Sequence, residues 1–577
     1  MIFDLHNEQL GLPLFGTPQR LQQALPVIAR RSGRQFTIFV GVTLLLIGCA
    51  PEKAPESTSL PTATDHTVEA LLAGSAMHGV HGLAFNADDE LFGASLMGYS
   101  IYRIDRDTGE VTTEVGHPSG NSDDLAFGPD GMLAWTAGAF SAIYGRKPGG
   151  EIRTLAEDLA GVNSINFSPD GRLFITRVFG GDHLYEIDTD GEQPPRLIAR
   201  KLGGLNGFEI TAENKLYGPL FFKGKVVEVD LGDGTVRDIA DGFTVPAAVN
   251  FDQRGNLFIV DYATGEVTRI RMSDRQRTII AMLEPPLDNL AIDKRGFVYV
   301  SNPAFNRITE INPDTGDTRE VVGGRLSSPG GIQLQTSQGD EALFIADMWG
   351  NRTANPDSGE LARFPPLAGV TASSSIAVAD NYYAVASIWP FGVVYLINRA
   401  TNELLKRAAM GAPYGMVFLD DGSLIVADYK KNHLMRLGPG KTKDKNILLE
   451  DLNGPVGLAL HPAGRKVVFS EFGSGQVIEF NLDNRQSTVV MTGLLEPEGL
   501  AFDQEGNLLV AETGKNRIWS KADGKEKTLV SENIPMGLLG GDELPAPFLP
   551  TGIAVDQQNR IFVSSDIENA IYRLTPD

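Results

Sequence analysis

The chain has 577 residues, 42% of them hydrophobic and 21% charged, which is too long for one ordinary core and carries no mark of wholesale disorder. Its net charge of −23 argues against nucleic acid as a partner, because phosphate binding needs clustered Lys and Arg. A single cysteine excludes both an intrachain disulfide framework and a cysteine-based zinc site.

In chain order, residues 1–29 read as neither targeting nor domain sequence. Arg30, Arg31 and Arg34 then precede an apolar run over residues 36–47 that closes on Leu46-Ile47-Gly48-Cys49. A basic segment before a short apolar run predicts an export signal, too short to span a bilayer as a helix. The last four residues resemble the lipobox of bacterial lipoproteins. That resemblance implies that the Cys49 thiol is diacylated and becomes the mature N-terminus, and two acyl chains suffice for stable anchoring. Ala50 after the cysteine implies, by likeness to enterobacterial sorting, an outer-membrane anchor facing the periplasm. Residues 1–49 are thus an N-terminal extension with a lipoprotein signal peptide. Residues 50–64, rich in Pro, Ser, Thr and Glu, are a linker.

From Val80 onward one unit recurs. Val162-Asn163-Ser164-Ile165-Asn166-Phe167-Ser168-Pro169-Asp170-Gly171 and Pro497-Glu498-Gly499-Leu500-Ala501-Phe502-Asp503-Gln504-Glu505-Gly506 both run from a short turn through an apolar strand to an acidic-Gly-type turn. Units start near Val80, Ser122, Val162, Leu205, Pro246, Leu287, Pro329, Ser373, Pro413, Pro455, Pro497 and Pro550. A spacing of about 41 residues with period-2 alternation predicts four antiparallel strands per repeat, the pattern of β-propeller blades. The fold class is therefore all-β, and two tandem six-bladed propellers suit twelve blades better than one wide ring. The last repeat lacks a fourth strand, and His66–Leu72 reads as a spare one. In this reading His66–Leu72 completes blade 6 and Thr318–Val322 completes blade 12. Propeller 1 then covers residues 65–317 and propeller 2 residues 318–577, with the boundary near 315–325.

The repeats resemble the NHL-repeat and regucalcin–gluconolactonase (SMP-30-type) propeller superfamily, with weaker paraoxonase-like features. In that family the residue just before each innermost strand faces the channel mouth. These positions hold His81, Asp123, Asn163, Asn206, Ala247 and Asp288 in ring 1, and Gly330, Ser374, Tyr414, Val456, Glu498 and Thr551 in ring 2. The resemblance implies a divalent cation, Ca²⁺ first, held by Asn163, Asn206 and Asp288 with water completing the shell. Asp288-Asn289 resembles the Asp-Asn pair of the paraoxonase calcium site. Two departures stand out: the first-blade Glu is His81 here, and the fifth-blade Asp is Ala247.

His81 is the candidate catalytic base or a further ligand, Asp123 is a candidate for the same two roles, His183 is a further catalytic candidate, and Asp182, Arg177, Phe179, Phe221 and Tyr262 are placed to reach the same mouth. Glu498 reads as the remnant of a lost site without partners in ring 2. Asp261, Asp347 and Asp428 read as loop caps. The Gly- and Pro-rich insertion at residues 533–549 reads as a lid or contact loop over ring 2. No Gly-x-Ser-x-Gly elbow, Walker loop or zinc-protease helix is present. The first functional expectation is a metal-dependent hydrolase of a lactone or ester at the mouth of ring 1. The alternative is a non-catalytic lipoprotein that binds a small molecule or a protein partner, and a metal-dependent lyase or isomerase is the third.

Overall fold

The computed structural model describes residues 60–179, 181–337, 340–363, 372–388, 391–538 and 547–577; Cys49 and the signal segment lie outside them. The described chain folds into twelve antiparallel sheets, each built on four strands. Each blade forms because its strands alternate apolar and polar residues and its turns carry residues suited to reversal. In blade 2, Leu125–Phe127 leads through Asp130 and Gly131 (φ 82°) to Leu133–Ala137, and the Asp130 carboxylate accepts the Met132 N–H.

The innermost strands pack on one another in two closed circuits. Ring 1 runs from blade 1, starting at Val80–Phe85, to blade 6, starting at Leu290–Ile292, and these two blades pack together. Ring 2 runs from blade 7, starting at Pro329–Ser337, to blade 12, starting at Ile553–Val555, and closes in the same way. The core lies between adjacent sheets. For example, Phe258, Val260 and Val267 of blade 5 pack on Leu290, Val298 and Ile311 of blade 6.

The strand exchange differs from the sequence expectation. Thr318–Val322 pairs with Arg307–Ile311 inside blade 6, and His66–Leu72 pairs with Ala570–Pro576 to complete blade 12. Blade 6 thus keeps its own hairpin, whose short turn closes with little loss of chain entropy. Ring 1 is inserted between the two N-terminal strands of ring 2 and the rest of it. The linker also ends sooner than expected, since Thr62–Ala63 adds a fifth, outer strand to blade 11.

The rings touch through loops at the ends of their second strands and the starts of their inner strands. The His78 ring Nε2 lies 2.8 Å from the Asp566 carbonyl oxygen, and Arg352 donates to the Ala304 carbonyl at 2.8 Å. The Trp349 indole of ring 2 meets the His81 ring of ring 1 edge-on, with centroids 5.0 Å apart. Among the described residues no helix is long and apolar enough to cross a membrane.

Candidate functional site at the mouth of ring 1

Inner strands of propeller blades start at the channel mouth. In blades 1, 3 and 5 the first ladder pairing is interrupted by a register shift. A local break in regular pairing re-aims side chains. In blade 6 the paired strand starts at Leu290, and the two residues ahead of it both reach other blades: Asp288 contacts His81 while Asn289 donates to Asp124 at 3.0 Å.

The outermost layer is one continuous polar cluster. His81 Nδ1 lies 3.1 Å from Asp288 Oδ2 and 3.7 Å from Asp123 Oδ1. Asn163 donates through Nδ2 to Asp123 Oδ2 at 2.5 Å. The Ser164 hydroxyl donates towards the amide oxygens of Asn206 at 2.7 Å and Asn163 at 3.1 Å. Five of the six ring 1 positions singled out in the sequence therefore join one network, and Ala247 supplies only a buried methyl. Ser164 is the link that the sequence reading missed, although it follows Asn163 directly.

Burial alone would lower the His81 imidazole. The charge and hydrogen bond of Asp288, with the charges of Asp123 and Asp124, more than offset it and hold the imidazole above its ordinary pKa. Burial pushes Asp123 up to about 7, with the His81 charge opposing and the Asp288 charge adding to the shift. Below this layer burial also raises Asp124, to about 8, and Glu209, to about 7. These two carboxylates, with Asn166, Asn250 and Asn289, line a channel cavity of about 210 Å³.

One flank of the mouth is aromatic. Phe221 lies 5.9 Å from Tyr262, 6.0 Å from Phe179 and 5.3 Å from Phe222, centroid to centroid, and Phe179 and Phe222 are half exposed. Burial, then the nearby Asp288 charge, raises the Tyr262 phenol, and Phe221 and Tyr262 pack on the apolar group that holds Ala247 and Leu287. Arg177 donates to the Ala160 carbonyl at 2.7 Å.

His183 stands apart. It starts the third strand of blade 3, and its described neighbours are Tyr185, Arg177, Asp182 and Arg200 rather than the axial cluster. A third strand lies two strands out from the axis, which is why its place in the sequence did not translate into a place at the mouth. Asp182 caps a loop, accepting the Gly203 and Gly204 N–H groups. Asp261, Asp347 and Asp428 do the same for Thr244 and Val245, Ser327 and Ser328, and Gly411 and Ala412, as expected.

Ring 2 presents a different mouth. Tyr414 donates to the Pro547 carbonyl, and the adjacent Phe548 and Leu549 are buried with Met348 and Ile388. The described parts of the 533–549 insertion thus cover this end. Contrary to the sequence reading, Glu498 has partners: it accepts the Thr551 N–H at 2.6 Å and the Thr513 hydroxyl at 3.0 Å. Burial, then the Asp566 charge, raises it well above the usual carboxylate range. A deeper cavity of about 460 Å³ is lined by Ile332, Leu334, Met416, Phe418 and other residues of the inner strands.

No family model matches the chain. No curated protein matches it either. Among solved structures, the crystal structure of the tricorn protease aligns at TM-score 0.34 and 14% identity, over 79% of this chain and 49% of that one. The extracellular domain of the putative one-component system BT4673 from B. thetaiotaomicron aligns at TM-score 0.31 and 9% identity, over 88% of this chain and 82% of that one. The chain spans about half the length of the tricorn protease chain it matches.

Among the described residues no three His, Cys, Asp or Glu side chains are grouped to hold a metal ion. The oxygen donors of Asp123, Asp288, Asn163 and Asn206 do form a set whose chemistry fits a hard divalent cation. The two carboxylates face His81 Nδ1, so a cation there would compete with the proton held between them.

Proposed function

We propose that this chain is an exported, lipid-anchored double propeller whose first ring hydrolyses a small lactone or ester, as its resemblance to the SMP-30-type superfamily implies. One observation carries this reading. His81 is held through Nδ1 by Asp288, which leaves Nε2 buried and unpartnered beside a polar axis with an aromatic flank. An imidazole oriented by a carboxylate through one nitrogen is a general base at the other. In the proposed step His81 Nε2 takes a proton from water, the water oxygen bonds to the carbonyl carbon, and the ester C–O bond breaks. The leaving oxygen then receives the proton from His81. The aromatic wall supplies apolar contact for the rest of the substrate.

Export and anchoring rest on the lipobox resemblance at Cys49. A divalent cation is the second reading of the same cluster. Asp123, Asp288, Asn163 and Asn206 would hold it, and its chemistry there would be to polarise the carbonyl oxygen. A binding lipoprotein without catalysis is the reading that remains if no substrate turns over. The test is a panel of lactones and esters assayed on the purified full chain with and without chelator. Turnover that survives chelation supports the His81 mechanism, and turnover lost on chelation supports the cation. No turnover of any member overturns the hydrolase reading.

A further inference from the structure

Three loops at the mouth end of ring 1 form one hydrogen-bonded platform on blades 3 and 4. The Asp182 carboxylate accepts the Gly203 and Gly204 N–H groups, and the Lys201 N–H donates to the Asp182 carbonyl at 2.8 Å. The Phe221 and Phe222 N–H groups donate in turn to the Gly204 and Gly203 carbonyls. Gly203 and Gly204 have φ of 109° and 79°, and a Cβ on Gly204 would come within 2.5 Å of the Phe222 ring. Glycine here lets that ring lie against the link between the blades. Phe179, Phe221 and Phe222 meet edge-to-face at 5.3–6.0 Å, which leaves no slot between them. Phe179 and Phe222 are nevertheless 50% and 51% exposed.

Basic side chains border these rings. Arg177, His183 and Arg200 are paired across successive strands of blade 3, so they stand in a row on one face of the sheet. Burial, then the Arg177 charge, lowers the His183 imidazole; Asp182 opposes the shift and Arg200 adds to it. Arg200, Lys201 and Lys223 are exposed. The exposed acids Glu157 and Asp158 belong to the link before blade 3, and Asp241 to the link after blade 4. Ring 2 touches ring 1 at blades 1 and 6, across the ring from this platform. We infer that the platform docks ring 1 onto a bilayer containing anionic phospholipid. Phe179 and Phe222 enter the headgroup boundary, while the Arg and Lys side chains meet lipid phosphates. A small ligand would need a slot between the rings, whereas an extended surface needs only their outer edges. The rest of this chain of net charge −23 is repelled by the same lipid, which orients the molecule with this face down. Docking turns the mouth of ring 1 towards the bilayer and requires no chemistry at His81.

The test is hydrogen exchange read by mass spectrometry on the full chain, alone and with two kinds of vesicle. One kind is phosphatidylcholine; the other is phosphatidylcholine and phosphatidylglycerol in equal parts. Peptides carrying Phe179 and Phe222 are expected to gain protection with the anionic vesicles and not with phosphatidylcholine. The turn at Asp170 and Gly171, at the other end of blade 3, is expected to stay unchanged. Read on the Phe179 peptide, Phe222→Ser should raise the lipid needed for half protection by about tenfold, and Arg200→Gln by about fivefold. The readout is local, so a chain held on vesicles by its N-terminal segment alone leaves both peptides unchanged and overturns the inference. Equal protection by both vesicles, or protection unaltered in Phe222→Ser or in Arg200→Gln, overturns it too. Protection by inorganic phosphate without vesicles overturns it in favour of a free-anion site. None of these outcomes bears on the hydrolase reading of ring 1.

Discussion

Leu72→Ala should unfold ring 2 before ring 1, although residue 72 precedes every residue of ring 1 in the chain. Leu72 is fully buried among Leu326, Ile332, Leu343, Ile345, Phe562 and Ile571, where the N-terminal strand joins blade 12 against blade 7. Truncating a buried leucine costs about 2–5 kcal/mol, through lost transfer energy and the cavity left behind. Taking about 3 kcal/mol, a ring of this size loses roughly 6–12 °C in melting temperature. Hydrogen exchange read by mass spectrometry during heating separates the rings, because peptides from residues 80–322 report ring 1 and those from residues 329–532 report ring 2. The expected result is a lowered transition in ring 2 with ring 1 close to wild type. A fall confined to ring 1, or an equal fall in both, would refute the strand assignment.

Three further outcomes are expected. Cys49→Ser should abolish incorporation of radiolabelled fatty acid and release the folded chain from membranes; label entering the variant would contradict the lipobox reading. By ¹⁵N NMR, the His81 imidazole should titrate above 6.5, and Asp288→Asn should lower that midpoint because it removes the first charge opposing burial. The sign follows from linkage: a histidine raised in the folded state contributes stability in full below about 6.5, and that contribution is lost as pH rises through the folded midpoint. His81→Asn should therefore flatten the fall in stability above that value. If a cation occupies the cluster, the melting temperature should rise with Ca²⁺, Mg²⁺, Mn²⁺ or Zn²⁺ in wild type and in Glu498→Ala but not in Asp288→Ala. Equal insensitivity of wild type and Asp288→Ala would end the cation reading.

The repeat was legible because each blade states the same local pattern. Strands begin at Val80, Val162, Pro246, Pro329, Ser373, Pro413, Pro455 and Pro497, where the repeat units were expected to start. The axial cluster was legible for the same reason, since equivalent positions in a closed ring converge. Partner choice for the closing strand was not legible. Thr318–Val322 and His66–Leu72 are interchangeable as spare strands, and only the short hairpin inside blade 6 distinguishes them. Nor does a repeat encode how two rings dock, so Trp349 gave no signal as an isolated aromatic in a blade 7 loop. Glu498 looks stranded in the sequence because Thr513 lies in another part of its blade and Thr551 belongs to the next.

The most direct test of the account is the rate of phthalide ring opening by the full-length protein in three forms: wild type, Asp288→Asn and Glu498→Gln. A positioned acid–base group contributes on the order of 10²–10⁴-fold. Asp288→Asn is expected to lose at least about a hundredfold in kcat/KM, while Glu498→Gln, altered in the covered mouth of ring 2, keeps the wild-type rate. Loss of turnover in Glu498→Gln with Asp288→Asn unaffected would place the chemistry in ring 2 and contradict the account.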